Sequence, residues 1–355
     1  MTLKTTAAAT ASTKTKRHWQ VLRNALLRST TASGSPSLSA TESSSSATAS
    51  SISTDFFPIF PALESKRTHS PPRPNFVWIE YALVSNATNQ DKATGDQHTA
   101  LKVYVHEKRK DVKRMSIAEL QSHQVNEGVD NTGNIRTWPS EQILLSYLLS
   151  SPICSQVQRR DQRGELLPIS CCELGGGMAG LASLGLLARA PVQLKRVLVT
   201  DGNPLSVKNL QLCVDENKAQ QVVQAHTEIA AELLRWDRNA SQRQDLQHQF
   251  DLVFASDCLF FEDFHEDLAH TIKSLLRGGS GRCLLFQPSR NQSMERFCAV
   301  AERYGFIVHR SEDYDPTIVR KHSDYQQTRP DYVPDVHFPV LLTLRIGDSH
   351  ELGRF

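Results

Sequence analysis

Beyond residue 165, apolar segments of strand length alternate with segments whose apolar residues recur at helical spacing. Such an alternation is typical of a doubly wound α/β domain, in which helices cover both faces of a mostly parallel sheet. The pattern predicts strands near residues 168–174, 194–200, 222–229, 250–256 and 280–287. It predicts helices near residues 178–190, 204–218, 263–277 and 292–304.

The C-terminal pattern departs from this alternation. Phe306–His309 and Val340–Ile346 have the composition of strands, and the segment between them shows no helical pattern of adequate length. Consecutive strands without a crossover helix are expected to pair antiparallel. The sequence therefore predicts a parallel core of five strands that is completed by a terminal antiparallel pair.

Two segments with strand alternation precede the α/β pattern. Phe76–Ser85 and Thr99–His106 alternate apolar with polar residues and are separated by a polar loop that contains Gly95. This arrangement predicts an antiparallel pair. We assign residues 71–135 to a small N-terminal accessory region built around it.

The main domain is predicted to span residues 136–348. Its first element is a helix from Pro139, since proline is favoured in the first turn of a helix. Trp138 then lies immediately before this helix.

Residues 1–70 have a different composition. Ser29–Thr54 consists mainly of Ser, Thr and Ala and has almost nothing to bury, so we predict that it is disordered. Residues 16–28 form a basic stretch with apolar residues at helical spacing. This short helix is compatible with packing on the domain, with a targeting segment and with a basic docking helix.

Composition limits the function classes. The 355 residues carry a net charge of +2, which gives no reason to expect a nucleic-acid partner. No run of about 18 apolar residues occurs, so no membrane span is expected. The seven cysteines include no C-x-x-C pair, which argues against a metal site and favours a reducing compartment. No heptad seam suggests a coiled-coil dimer, and we expect a monomer.

The first strand of the α/β pattern runs into a glycine-rich turn, and Asp201 ends the following strand. Glycines at this point let the backbone approach a nucleotide, whereas the acid on the next strand can accept hydrogen bonds from a ribose. The spacing G-x-G-x-x-G fits a nicotinamide dinucleotide and S-adenosylmethionine equally. The glycines of the turn are Gly175, Gly176, Gly177 and Gly180.

Other features favour S-adenosylmethionine. Glu173 lies two residues before the first glycine, where a carboxylate can either reach the ammonium group of a methionine moiety or cap the next helix. Trp236 and Asp237 offer an aromatic face and a carboxylate for an adenine ring, although a tryptophan there can equally be a core residue. The terminal strand pair also favours this cofactor, because a nicotinamide domain would continue with a second mononucleotide half.

The fourth strand of the pattern ends in a group suited to a substrate. Ser256 and Asp257 are followed by Phe260 and Phe261. Ligands of open α/β sheets bind outside the carboxyl ends of the strands. We therefore expect this carboxylate and these rings to face the substrate.

Taken together and in order, these motifs resemble the calmodulin-lysine N-methyltransferase family. That family belongs to the seven-β-strand protein lysine methyltransferases marked by an Asp-x-x-Tyr/Phe motif. The likeness covers roughly residues 130–346. The segments that carry it are Asn131–Gly133, Trp138–Glu141, Glu173–Met178, Thr200–Asn203, Leu234–Asp237 and Asp257–Phe260.

The resemblance implies a Rossmann-like enzyme that methylates a lysine of calmodulin, up to trimethyllysine, in the cytoplasm and the nucleus. The N-terminal extension leaves organellar targeting open as well. In such an enzyme, Asp257 and Phe260 face the lysine. The residues around S-adenosylmethionine are then Trp138, the glycine turn, Asp201, Trp236 and the backbone at Ser256.

Three alternatives remain at this point. The chain can belong to the same group and methylate a different protein. It can be a nicotinamide-dependent oxidoreductase, or a binding module without catalysis. Calmodulin as the partner comes from the resemblance, and the basic residues Lys108–Arg114, Arg320, Lys321 and Arg329 are compatible with an acidic partner.

Overall fold

The computed structural model describes residues 65–67, 76–83, 101–108, 137, 139–223, 226–238, 243–260, 262–330 and 332–347. The predicted basic helix at residues 16–28 and the Ser/Thr-rich stretch lie outside the described residues. Trp138 and Phe261 lie outside them as well.

Ten strands are described. They are β1 (Ser65–Arg67), β2 (Phe76–Leu83), β3 (Leu101–Lys108), β4 (Ile169–Glu173), β5 (Leu194–Asp201), β6 (Glu228–Leu233), β7 (Leu252–Ser256), β8 (Arg282–Gln287), β9 (Phe306–Ser311) and β10 (Val340–Ile346). The α-helices of the described residues are α1 (Pro139–Ser150), α2 (Ile153–Gln156), α3 (Leu181–Arg189), α4 (Pro204–Ala219), α5 (His265–Leu275), α6 (Ser293–Arg303), α7 (Pro316–Thr328) and α8 (Pro334–His337).

Seven strands form one sheet in the order β6-β5-β4-β7-β8-β10-β9. The first five are parallel, whereas β10 is antiparallel to both β8 and β9. Strands β4 and β7 occupy the middle and are almost entirely buried, as expected for parallel strands covered on both faces. The predicted doubly wound sheet with a terminal antiparallel pair is confirmed.

Two predictions about elements are wrong. The third strand lies at Glu228–Leu233 instead of 222–229, because Val222 and Val223 pack against the core from the loop after α4. The segment between β9 and β10 does contain a helix, α7, which begins at Pro316 after the capping residue Asp315. Its weak apolar pattern has a physical reason, since Ile318 is its single buried residue.

The accessory region contains the predicted antiparallel pair, β2 with β3, and β1 extends it on the other side of β2. Strand β3 is the edge strand of this sheet within the described residues, and it lies beside α4. Two asparagine amides of α4 bond to its backbone there. Asn217 accepts from the Tyr104 backbone N–H and donates to its carbonyl. Such pairing satisfies backbone groups that would otherwise be buried without partners.

Asn209 extends the same contact to the main domain. Its amide nitrogen donates to the carbonyls of His106 on β3 and of Met178 in the glycine turn, both at 2.7 Å. Its oxygen lies 2.7 Å from Nδ1 of His106, which fixes that nitrogen as the protonated one. One buried amide thus connects the accessory sheet to the glycine turn.

The amino edge of the main sheet is held by a buried carboxylate. Asp251, just before β7, accepts from Nε of Arg159 at 3.0 Å and Nε of Arg277 at 2.9 Å. Its second oxygen accepts from the Ser170 backbone N–H at the start of β4. This group joins two central strands to two loops at the end of the sheet opposite the predicted site.

No helix of the described residues has both the length and the apolar character needed to cross a membrane.

Candidate active site

The carboxyl edge of the sheet collects the predicted site residues. Glu173 ends β4, Asp201 ends β5, and Ser256 and Asp257 lie at the end of β7. Because β5, β4 and β7 are adjacent and parallel, these residues meet at one edge. Trp236 follows β6 and completes the group. Within the described residues, no cluster of three or more His, Cys, Asp or Glu has the arrangement of a metal site.

The glycine turn is fastened to β5. The Gly177 N–H donates to Oδ2 of Asp201 at 2.9 Å, and the Gly176 N–H donates to the carbonyl of Thr200. The other oxygen of Asp201 accepts from the Asn203 N–H at 2.7 Å. Asp201, the acid predicted to meet a ribose, therefore also holds the glycine turn through Gly177 and the turn after β5 through Asn203.

The backbone and the surroundings of Gly175 strongly favour glycine. Its φ of +65° is a left-handed conformation. A Cβ atom there would lie 3.0 Å from Sγ of Cys258 and 3.4 Å from Cζ2 of Trp236. The half-buried Trp236 ring, followed by half-buried Asp237, thus lies directly against the turn. The ring borders the predicted cofactor site and packs against the core as well.

Two carboxylates cap the N-terminus of α3. Glu141 of α1 accepts from the Leu181 N–H, and Oε2 of Glu173 accepts from the Ser183 N–H at 3.1 Å. Both groups satisfy N–H groups that the first turn of a helix leaves without intrahelical partners. Glu173 therefore serves as the cap that the sequence left open as an alternative.

Glu173 is also buried, and this burial changes the pKa of its carboxyl. Desolvation raises the pKa of its carboxyl to about 7, although hydrogen bonds from Ser183 act in the opposite direction. The nearby Asp201 charge adds to the rise. The Glu173 carboxyl therefore ionises near neutral pH, and a cationic ligand beside it would favour the ionised form.

Asp257 occupies a special backbone position. Its φ is +52°, and its N–H donates to the carbonyl of Phe286 on β8. Both carboxylate oxygens accept from Arg290, at 2.9 Å from Nε and 2.5 Å from Nη2. The guanidinium carbon of Arg290 also lies 5.8 Å from the centre of the Phe260 ring. Asp257 and Phe260, which were predicted to face a substrate lysine, therefore share a cationic neighbour.

The residues between Asp257 and Phe260 are held from three sides. The Leu259 N–H donates to Oε1 of Gln287, and its carbonyl accepts from the hydroxyl of Ser293. Nε2 of His265 lies 2.8 Å from the same carbonyl, and burial lowers the pKa of this imidazole. A neutral His265 with its proton on Nε2 therefore donates to Leu259.

Cys258 has no nucleophilic role in this arrangement. Burial raises the pKa of its thiol well above the ordinary value, so the thiol stays protonated. It donates to the carbonyl of Ser256 at 3.3 Å and lies 3.6 Å from the carbonyl of Leu174. The Ser256 carbonyl is thus already used by the neighbouring side chain.

Sequence reasoning missed several residues that shape the site. Arg290, Gln287 and Ser293 lie 28 or more residues from their partners. Their segment runs from the last residue of β8 to the first residue of α6, and only its place at the end of the fifth parallel strand could have drawn attention to it. Glu141 belongs to one of the segments that carry the resemblance, but the sequence alone does not predict its contact with α3.

The sheet order, the glycine turn and the acid at the end of the adjacent strand define a Rossmann-like methyltransferase, with S-adenosylmethionine as the methyl donor. Residues 118–304 match the sequence profile of the family described as lysine methyltransferase. This match spans more than half of the chain, and the chain belongs to that family. A nicotinamide-dependent oxidoreductase is thereby set aside.

A calmodulin-lysine N-methyltransferase from Arabidopsis thaliana is 32% identical over 220 residues. The alignment covers 61% of this chain and 66% of that relative, so the chain spans just under two thirds of the relative's length.

Solved structures with a similar fold include two methyltransferases. One, from Pyrococcus furiosus, is 14% identical with a TM-score of 0.38, over 63% of this chain and 92% of that chain. The other, a precorrin-6y C5,15-methyltransferase from Geobacter metallireducens, is 14% identical with a TM-score of 0.35, over 60% of this chain and 90% of that chain.

Proposed function

We propose that this protein transfers methyl groups from S-adenosylmethionine to the ε-amine of a lysine in calmodulin. The observation that most supports this proposal is that Asp257 and Phe260 follow the end of β7, where Cys258 between them lies against Gly175 of the glycine turn. The relative from Arabidopsis thaliana supports the choice of calmodulin. A monomer in the cytoplasm and nucleus, and methylation up to trimethyllysine, belong to the same proposal.

The residues at the carboxyl edge fit S-adenosylmethionine. Gly175 and Gly176 let the turn pack directly against its neighbours, since a Cβ at Gly176 would come within 2.9 Å of Val199 and one at Gly175 within 3.0 Å of Sγ of Cys258. Asp201 would hold the ribose, and Glu173 would face the methionine ammonium group. Trp236 would face the adenine. When bound, the cofactor supplies an electrophilic methyl carbon attached to a sulfonium.

The protein's own contribution is to hold and prepare the amine. A lysine has a pKa of about 10.4 in water, and only its neutral form is a nucleophile. Desolvation beside Phe260 lowers the pKa of the amine, which then loses its proton to water. Positioning near the methyl carbon supplies most of the remaining acceleration. A ring such as Phe260 also attracts a methylated cationic product, which favours successive transfers.

The pKa of Glu173 gives a test of cofactor binding. A carboxylate that meets the methionine ammonium must be ionised, and the free group is half ionised at about pH 7. We expect the affinity for S-adenosylmethionine to rise severalfold between pH 6 and pH 7.5, as binding releases a proton from Glu173. Isothermal titration calorimetry in buffers of different ionisation enthalpy measures both effects.

Glu173→Gln is the matched variant for this experiment. The glutamine oxygen can still accept from the Ser183 N–H, so the cap on α3 is kept while the ionisation is removed. The affinity of this variant should not vary over the same pH range. A pH-independent affinity in the wild type would show that Glu173 caps the helix and does not meet the ammonium group.

The substrate is tested by intact-mass analysis of unmethylated calmodulin incubated with the protein and S-adenosylmethionine. We expect steps of one methyl group in the wild type. Asp257→Ala should lower the rate at least about 100-fold, because it leaves the Arg290 cation unpaired where the amine must bind. The binding of S-adenosylmethionine to this variant, measured separately, should be unchanged.

The two failures of this experiment have different meanings. If calmodulin keeps its mass while calorimetry shows cofactor binding, the substrate is another protein. If the same preparation also methylates no protein in an extract from cells depleted of S-adenosylmethionine, the fold serves as a binding module.

A further inference from the structure

Arg290 stands where the proposed function requires a substrate cation to arrive. Its guanidinium makes a bidentate contact with Asp257 and lies over the Phe260 ring. The side chains of Arg290 and Asp257 are only 13% and 9% exposed, so solvent screens their attraction little. Each oxygen of the carboxylate accepts one hydrogen bond in this contact and keeps a second lone pair.

We infer that Arg290 is a positioning residue that keeps Asp257 electrically neutralised, so that the acceptor site favours an uncharged lysine amine over an ammonium ion. This inference rests on the proposed lysine methylation and deepens it. It assigns Asp257 the role of orienting the amine, while the proton of the amine passes to water.

The backbone holds Arg290 in place. Three consecutive residues, Arg290, Asn291 and Gln292, have φ values of +47°, +57° and +64°. A left-handed conformation is unfavourable for every residue other than glycine, so such a turn persists only where its surroundings fix it. Here Asp335 of α8 fixes it, because its carbonyl accepts from the Arg290 N–H and its carboxylate from the Asn291 N–H.

The backbone on the Asp257 side of the contact is held as well. Its own N–H is bonded to β8, and Leu259, two residues on, is bonded to Gln287, Ser293 and His265. Both partners of the ion pair are therefore held by backbone contacts with different elements. Because both backbones are held, the ion pair is a permanent part of the site. An arginine that occupied the lysine position only until the substrate bound would need a backbone that can move away.

The charge of the pair decides which form of lysine is favoured. An isolated carboxylate within about 4–6 Å of an amine raises the pKa of the amine by roughly 1–3 units. A carboxylate paired with a guanidinium has no net charge and exerts much less of this effect. The neutral amine is then present at a lower pH, while one carboxylate oxygen can still orient it.

The first test measures charge at the site without any methyl transfer. The probe is n-butylammonium, a mimic of the lysine side chain, added to the protein saturated with S-adenosylhomocysteine and followed by NMR chemical shifts. Arg290→Gln should bind the probe at least about tenfold more tightly than the wild type, because Asp257 is left as an unpaired anion. Arg290→Lys keeps the positive charge and should stay within about threefold of the wild type.

The second test follows the single-turnover rate of calmodulin methylation against pH. In Arg290→Gln the midpoint of the rising limb should move upward by one unit or more, with the affinity for S-adenosylmethionine unchanged. Arg290→Lys should restore the wild-type midpoint, even if its rate is lower because the bidentate geometry is lost.

The two tests separate the possible failures. An unchanged affinity for n-butylammonium in Arg290→Gln would overturn the inference, and so would a lower rate at an unchanged midpoint, since either result means that Arg290 merely braces the loop. If the wild type fails to methylate calmodulin, the proposed substrate is wrong, while the n-butylammonium measurement still decides the role of Arg290.

Discussion

Asp251→Ala is expected to lower the free energy of unfolding by about 3 kcal/mol. The carboxylate is buried and accepts from Arg159, Arg277 and the Ser170 N–H, so its removal leaves three donors without their acceptor. The two arginines are partly exposed and can recover some hydration, which keeps the loss below that of a fully buried pair. Chemical denaturation followed by circular dichroism measures the change.

The variant should keep its function while it is folded. Asp251 lies at the amino edge of the sheet, whereas the candidate site lies at the carboxyl edge, so the affinity for S-adenosylmethionine at low temperature should be unchanged. Asp245→Ala is the matched control, because Asp245 also pairs with an arginine, Arg243, but on the surface. That control should leave the unfolding midpoint where it is. A loss in Asp251→Ala no larger than in the control would refute the proposed role of burial.

Gly175→Ala should weaken the binding of S-adenosylmethionine roughly 10- to 100-fold. The alanine would have to keep a φ of +65°, which costs about 1–2 kcal/mol, and its Cβ would push against Cys258 and Trp236. The site can relieve this contact only by moving the turn or the segment that begins at Asp257. Calorimetric titration of the purified variant gives the affinity directly.

Gly164→Ala separates backbone strain from damage to the site. Gly164 has a φ of +83°, and no atom lies within 4 Å of the position of its missing Cβ. It belongs to the loop before β4, at the amino edge of the sheet. This variant should lose stability and keep its affinity for the cofactor. Equal losses of affinity in both variants would mean that left-handed strain alone, anywhere in the domain, disturbs binding.

The parts of the fold that the sequence predicted are those with strong local patterns. The glycine turn and the ends of β4, β5 and β7 follow from apolar runs that stop at charged or small residues. The third strand was misplaced because Val222 and Val223 have the β-branched side chains of a strand, whereas β6 contains Ala230 and Ala231, which favour strands poorly. Tertiary packing overrode the local preference there.

Helix α7 was missed for a related reason. Helical periodicity is visible in a sequence when a whole face is buried, and α7 buries only Ile318. The better signal was Asp315 followed by Pro316, a capping residue before a proline in the first turn.

The sequence predicted the site residues at the strand ends, but it did not predict the residues that hold them in place. A carboxylate after a parallel strand can be recognised from local sequence. Its pairing with Arg290, 33 positions further along, depends on the path of the chain through β8 and on the turn held by Asp335. The same holds for Asn209 and His106, which are 103 positions apart. Such contacts have no periodicity, so one sequence does not reveal them.

The amide of Asn209 has a consequence for where the catalytic unit begins. A boundary near residue 136 looks natural along the chain, since the accessory strands precede it and form their own sheet. Yet the carbonyl of Met178, at the turn that would receive the cofactor, shares its donor with His106 of β3. A fragment that starts at α1 would expose the buried side of α4 and leave this amide with half of its partners. The smallest autonomous enzyme therefore includes the accessory sheet, and a library of shortened or grafted versions should begin upstream of β1.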